Sequence, residues 1–536
     1  MTNGNLSAIG RKLLPGSVLR LANLFTAAIT SLFLMPFIVH HLGDHLYGFW
    51  TLAATFVGYF GLLDFGLSSA VSQYLGMAIG KNDSMECSAV FNTALRIQLL
   101  LGGVALFVTG VLVVAVRWLS HDPANAALFS KVIAILGLNV ALWFPARAYG
   151  GILEAQLHFD VQAGLGMLTT LLRTLLIVLA IRNGGGLLAL AWMTLLASLP
   201  VIALHVYVVN RCAPWAQIDR RPTDRKRVAG FFSYSIYTFL AVIGDIFRFQ
   251  VDSVVIAGFI GLVAVTHYRV ASVFMKYYID IVMAIVGIAQ PVMSRLYGAR
   301  DSENLEKVMF FATRISLCVS SFIGLGLVVW GKPFISRWMG PRYQDAYWPL
   351  VVLSFAVMLD AGQSPSVALL YATFKHRFYT YLNCGEGLLN LVVSLLLVKP
   401  LGVLGVALGT LIAAFIVRAL AQPFWVCKAT GVSYRKYMRF LGETLLRSAV
   451  LSAAVIAISA WGLRPSYPAL ISSALCATAM FIVGAWFAVF KRTEREQLWE
   501  AVMNRKGTVA ESYPQPPFVE RQKNGCQDHS VIDHTM

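Results

Sequence analysis

Apolar runs of about twenty residues recur along the whole chain, divided by short polar segments. A helix needs ~20 mostly apolar residues, at 1.5 Å each, to cross a ~30 Å hydrocarbon core. Such runs fall near 18–39, 47–70, 94–116, 127–149, 161–181, 187–209, 231–258, 264–289, 310–330, 347–371, 379–398, 401–427, 445–463 and 468–490. They predict an all-α polytopic membrane protein with about fourteen transmembrane helices. The closest division is at 161–209, where only Arg182–Gly186 separates two runs.

The runs repeat. Segments in the first half return in the second at an offset of 217 to 222 residues: Gly43 over Gly261, Ser72 over Ser294, Gly76 over Gly298, Arg96 over Arg314, and Gly185–Ala197 over Gly402–Ala414. A repeat of six helices is even-numbered, so both copies enter the membrane from the same side. That predicts two six-helix lobes related by a pseudo-two-fold axis along the membrane normal, a transporter arrangement whose site lies between the repeats. The expected division is 1–213 for the first lobe and 214–430 for the second. Two additional helices occupy 431–492, and a polar, Pro-containing tail at 493–536 is expected to be disordered.

Composition fits this picture. Of 536 residues, 58% are hydrophobic and only 13% charged, against about 25% charged in soluble domains; mean hydropathy is +0.69. The net charge of +17 reads as membrane orientation rather than nucleic-acid binding. With a cytoplasmic N-terminus, roughly 29 Lys and Arg fall on cytoplasmic segments and about 8 on periplasmic ones, the positive-inside bias. The densest cluster, Arg211, Arg220, Arg221, Arg225, Lys226 and Arg227, follows the sixth run. An inner-membrane location with both termini cytoplasmic follows. The seven scattered cysteines show no CxxC pair and read as small hydrophobes.

Charges inside the runs are the candidate chemistry, because each costs ~2.5–3.5 kcal/mol at the bilayer centre and needs a cavity or a partner. Asp245, Arg248 and Asp252 share one face of the seventh run; Arg269, Lys276 and Asp280 share one face of the eighth. Asn383, Glu386 and Asn390 repeat the spacing on the eleventh. Arg20, Asn23 and Thr30 line the first. These stripes predict a water-filled central cavity with a cationic lining. Arg173 and Arg418 read instead as lobe-internal.

The stretch Leu32–Gly76, with Leu42-Gly43, Tyr47-Gly48-Phe49-Trp50 and Leu62-Leu63-Asp64-Phe65-Gly66-Leu67, resembles the opening of Wzx-type polysaccharide flippases. These belong to a superfamily that also holds MATE drug exporters and the lipid II flippase. The resemblance covers nearly the whole chain except the tail. It implies a V-shaped two-lobe fold, alternating access, and a polyprenyl-diphosphate-linked oligosaccharide carried from the cytoplasmic to the periplasmic leaflet, for O-antigen or exopolysaccharide. Membrane lipid, a polysaccharide polymerase and a chain-length regulator are the further partners it implies. Arg suits phosphate through its planar fork. Arg248, Arg269, Lys276, Arg20 and Arg96 are therefore the expected substrate contacts. Asp64, Asp245, Asp252 and Asp280 are the expected ion-coupling groups.

Rival readings are a MATE-type small-molecule exporter, which should favour carboxylates and aromatics over the mixed lining here, and a membrane polymerase or ligase, which should carry a large periplasmic loop. Gly326–Lys332 imitates part of a P-loop, but Pro333 replaces its Ser/Thr and no strand precedes it, so no nucleotide is expected. His40, His41 and His45 read as a solvated loop. No nucleophile–base constellation and no metal ligand set emerges, so neither catalysis nor a cofactor is expected.

Overall fold

A computed structural model describes residues 3–219 and 239–490 together with Arg495, apart from breaks at 66, 81–82, 120–122, 157, 241, 249, 288, 374 and 461–465. Among the described residues the chain is helical, with no strand. The first group comprises α1 (Asn3–Leu42), α2 (Asp44–Tyr59), α3 (Leu67–Gly80), α4 (Ser84–Leu119), α5 (Pro123–Ala155), α6 (Phe159–Arg182) and α7 (Leu187–Cys212). The second comprises α8 (Val251–Phe259), α9 (Leu262–Val286), α10 (Ala289–Gly298), α11 (Ser302–Trp338), α12 (Tyr347–Gly362), α13 (Ser364–Ala372), α14 (His376–Ala414) and α15 (Gln422–Thr430). Finally come α16 (Tyr434–Ala460) and α17 (Tyr467–Ala488). The basic residues Arg220, Arg221, Arg225, Lys226 and Arg227 lie outside the described residues, as does the tail apart from Arg495.

Eleven segments among the described residues are long and apolar enough to cross a membrane. One of them, Arg377–Lys428, has 52 residues, far more than one crossing needs. Gly402, at φ 61, breaks it just after Pro400, so it crosses twice. A side chain would resist that left-handed backbone; glycine does not. Adding α9 and the interrupted helix across 239–259 gives fourteen passes.

Within the first group α4 packs on α5, α1 on α6, and α7 on both α5 and α6; Leu75, Phe91, Phe144 and Ile152 are fully buried there. In the second group α9, α11, α12 and α14 surround Tyr278, Leu350, Leu370 and Val406. Gly405 and Gly409 let two passes approach closely: a Cβ at either position would run into Leu397 or Ser394 on the preceding pass. Helices α16 and α17 pack on each other and on α11, outside both bundles. The bundles meet where α2 packs on α8 and α9. Trp338 also donates to the Leu32 carbonyl at 2.5 Å, and Tyr277 to that of Ala27 at 3.0 Å.

Candidate functional site

Two polar stripes legible in the sequence meet each other in the C-terminal bundle. The seventh pass, over 239–259, and the first half of α14 run parallel, and their rungs match at a constant offset. Asp245 accepts from Asn383 at 2.8 Å. Arg248 pairs with Glu386 at 2.9 Å. Asp252 accepts from Asn390 at 3.0 Å. Side chains at i, i+3 and i+7 share one helix face, so each stripe finds its complement on the other. Small residues let the helices come this close: a Cβ on Gly244 would lie 2.8 Å from Asn383, and one on Gly387 2.6 Å from Phe247.

The middle rung expands into a charge quartet. Arg248 also reaches Asp360 of α12 at 2.5 Å. Arg418 pairs with Glu386 at 2.6 Å and with Asp360 at 3.2 Å. Arg418 sits in a π-helical turn, Phe415–Ala421, and is fully buried. Such turns shift the register of side chains locally and recur at functional sites. Its guanidinium further donates to Asn383 and Gln422, at 2.7 and 3.0 Å. Two cations and two carboxylates cancel, which is what burial of four charges requires.

The third rung differs. Asp252 is 3% exposed. It accepts hydrogen bonds from Tyr268, from Asn390, and from Thr410 at 3.1 Å. Its hydrogen-bond donors are all neutral. Its partner Asn390 is held in turn: Thr410 Oγ1 lies 3.3 Å and Ser394 Oγ 3.1 Å from Asn390 Oδ1, and Ser394 also meets the Val406 carbonyl. A sealed carboxylate without a counter-charge takes up a proton or a cation.

The N-terminal bundle is built on the same plan with different residues. Helices α1 and α6 run side by side, and a Cβ on Gly166 would lie 3.1 Å from Asn23. Thr26 and Thr30 follow Asn23 on the same side of α1, and Thr169 and Arg173 follow Gly166 on the same side of α6. Acid appears elsewhere in this bundle. Asp64, at the end of the short helix Phe60–Asp64, accepts from Gln98 and Ser68 at 2.9 Å each and pairs with Arg147 at 3.4 Å.

Between the bundles, α9 turns one face toward the N-terminal helices. Thr266 donates to the Asp44 carbonyl at 2.6 Å. Arg269 reaches the Tyr47 hydroxyl. Lys276 is exposed and pairs with Asp280 at 2.5 Å. At the Asp44 end, the buried Asp44 carboxylate takes Arg342 and the hydroxyl of Tyr343, with His267 at 3.9 Å. A Cβ on Gly48 would run into the Leu262 carbonyl, so the bundles touch backbone to backbone there.

The expected site residues therefore scatter. Arg269 reaches Tyr47 of the other bundle, and Lys276 and Asp280, paired with each other, share its face of α9 by helical spacing. Arg248, expected as a cavity-lining phosphate contact, is sealed against Asp360 and Glu386. Arg96, also expected to meet substrate, donates to the Asp219 carbonyl at 2.5 Å. Its repeat counterpart Arg314 likewise holds the Val489 carbonyl, at 3.1 Å. Arg96 thus secures chain leaving the N-terminal bundle, and Arg314 the end of α17. The side chain of Arg20 lies outside the described residues. Asp245 and Asp252 belong to the ladder, and Asp64 to a hub inside the N-terminal bundle. Asp360 and Arg418 were not among the expected site residues. The available signal was complementarity: a stripe of Asp, Arg, Asp matches one of Asn, Glu, Asn at identical spacing.

A model of the family described as "Polysaccharide biosynthesis protein" matches residues 42–348. The chain belongs to this family. Its membership accords with the Wzx-type flippase resemblance of Leu32–Gly76. The Bacillus subtilis membrane protein EpsK is 24% identical over 91% of this chain and 98% of its own length. A Shigella flexneri protein named "Putative O-antigen transporter" is 23% identical over 75% of this chain and 95% of its own. The fold is shared with the lipid II flippase MurJ in an inward closed conformation (TM-score 0.68, 14% identity, 91% of this chain and all of that one). It is also shared with an inward-facing MATE multidrug transporter (TM-score 0.63, 17% identity, 78% and 99%). This member of the family is thus a multi-pass membrane protein of the flippase and exporter fold.

Proposed function

We propose that this chain flips undecaprenyl-diphosphate-linked oligosaccharide repeat units from the cytoplasmic to the periplasmic leaflet of the inner membrane, for O-antigen or exopolysaccharide, by ion-coupled alternating access. The division at 1–213 and 214–430 supplies the two moving bodies. The names of the Shigella relative and of MurJ support the substrate class. The basic segments support cytoplasmic termini, which places the Asp44 contacts at the periplasmic end. That latch would open each time the glycan is released.

The observation that carries the reading is the contrast between sealed and presented charge. Arg269, Lys276 and Asp280 occupy the α9 face turned to the opposite bundle, where a bound anion would lie. Asp252 is buried without a counter-charge among the described residues and is met by two hydroxyls and an amide, the chemistry of a coupling site for a proton or a small monovalent cation such as sodium. The ladder joins that site, on the seventh pass, to α14.

The test is complementation of a flippase-deficient cell by the full chain and by Asp252→Asn. Wild type should restore surface polysaccharide. Asp252→Asn should lose export at least tenfold at normal protein level, and proteoliposomes should lose the response of transport to a proton or sodium gradient. An Asp252→Asn chain that restores polysaccharide as well as wild type overturns the coupling assignment. A wild-type chain that restores none overturns the flippase reading.

A further inference from the structure

Helix α16 packs on α11, α15 and α17, whereas the bundles meet through α2, α8 and α9. Its two sides differ. Tyr437, Thr444, Ser448, Ser452 and Ile456 are buried against its neighbours. The opposite side carries Leu446, Val450 and Ile458, 66%, 61% and 61% exposed, with Ala454 exposed among them. Apolar side chains exposed over such a length make a surface for acyl chains. Arg447 is exposed on this side as well. It shares its face with Val450, Ala454 and Ile458, at i+3, i+7 and i+11.

Its depth follows from the neighbouring helix. Helix α17 has 22 residues, about 33 Å of length and so one crossing of the hydrocarbon. Arg314 ties its end to α16: it donates to the Val489 carbonyl at 3.1 Å and lies 5.3 Å from the Phe440 ring. The hydrocarbon edge therefore falls near Phe440. Arg447, seven residues on, lies about 10 Å inside it. Beyond that edge α16 is basic. Lys436 pairs with Glu306 at 2.6 Å and Arg439 with Glu443 at 2.7 Å. With both acids taken, neither Arg435 nor Arg447 forms an ion pair among the described residues. A helical Cα–Cβ bond tilts toward the N-terminus, so the long Arg447 side chain extends toward this basic end, where lipid phosphates lie.

We propose that this side of α16 binds an anionic phospholipid of the surrounding bilayer. Arg447 holds the phosphate, Arg435 and Arg439 draw in the head group, and the acyl chains lie along Leu446, Val450 and Ile458. A guanidinium below the hydrocarbon edge, without a carboxylate, is stabilised when phosphate oxygens accept its N–H groups. Two cations left over after pairing favour a net-negative head group over a zwitterionic one. The surface is turned away from the boundary between the bundles. Its lipid is therefore a resident of the bilayer and not the cargo, and the proposal stands apart from the flippase reading.

The experiment reconstitutes the full-length protein in vesicles of equal phosphatidylglycerol and phosphatidylcholine, extracts it in mild detergent, and counts the retained lipids by native mass spectrometry. Wild type should retain phosphatidylglycerol over phosphatidylcholine about tenfold. Arg447→Leu should cut that preference about fivefold, and Arg447→Lys should keep most of it. Lys307→Gln removes an exposed cation of the neighbouring α11 and should leave the preference unchanged. In phosphatidylcholine alone Arg447→Leu should melt with wild type, because leucine suits an acyl surface. A wild-type chain without the preference overturns the proposal, as does an Arg447→Leu chain that keeps it. An equal fall in Lys307→Gln overturns it by reducing the effect to overall surface charge. Lower melting of Arg447→Leu in phosphatidylcholine alone overturns it by making Arg447 a structural residue.

Discussion

The ladder of the seventh pass and α14 and the ladder of α1 and α6 occupy equivalent places in the two bundles, yet only the first is dense with charge. In the C-terminal bundle, Arg248, Arg418, Asp360 and Glu386 form a closed neutral quartet, with Asp245 and Asp252 one rung away on either side. In the N-terminal bundle, Asn23, Thr26, Thr30, Gly166 and Thr169 are uncharged, and Arg173 has no carboxylate partner among the described residues. The difference separates two uses of intramembrane charge. Four charges that cancel can hold helices together; a single charge that does not cancel must wait for something from outside the chain.

Four substitutions probe this contrast, in order of decreasing consequence. Arg418→Ala leaves Glu386 and Asp360 buried with one cation between them, and loss of one partner from a buried pair costs about 3–5 kcal/mol. The purified variant should unfold at a markedly lower temperature, or fail to accumulate, whereas a double Arg418→Met, Glu386→Met chain should regain most of the loss. A single variant that melts with wild type would show that the quartet does not hold the bundle.

Asp252→Asn keeps the shape of the third rung and should abolish gradient-dependent transport with little change in melting temperature, because its donors can still meet a neutral amide. Melting that falls as far as in Arg418→Ala would assign Asp252 to the scaffold instead.

Thr30→Asp places a carboxylate on the polar face of α1. Arg173 should compensate it, so that the melting temperature falls less than in a Thr30→Asp, Arg173→Gln chain. Equal melting of the two would mean that these residues do not meet.

Asp64→Asn should cost least, about 1 kcal/mol in thermal stability. Arg147 is partly exposed and exposed pairs are worth little, while Gln98 and Ser68 can still donate to an amide oxygen. A collapse of the N-terminal bundle would make Asp64 a second quartet-like centre.

Much of this architecture was present in the order of residues alone. Chain polarity fixed the helical class, because a backbone in hydrocarbon must satisfy its own hydrogen bonds. The run lengths fixed the number of passes, including the turn at Gly402 that separates two of them. The nearly constant offset between halves pointed to a repeat of six helices, and helical spacing placed Asp245, Arg248 and Asp252 on one face. What the spacing could not say was which way that face looks. Stripes at i, i+3 and i+7 serve equally to line water or to meet a complementary stripe, since periodicity records a shared face and not its neighbour.

Helix packing alone settled that Arg248 would be neutralised by Asp360 and Glu386, residues more than a hundred positions away. Whether an intramembrane charge is a strut or a binding group depends on the sum of charges within a few ångströms, because the low dielectric there makes near partners decisive and distant ones irrelevant. That sum is a property of the packed helices, and no single stretch of the chain contains it.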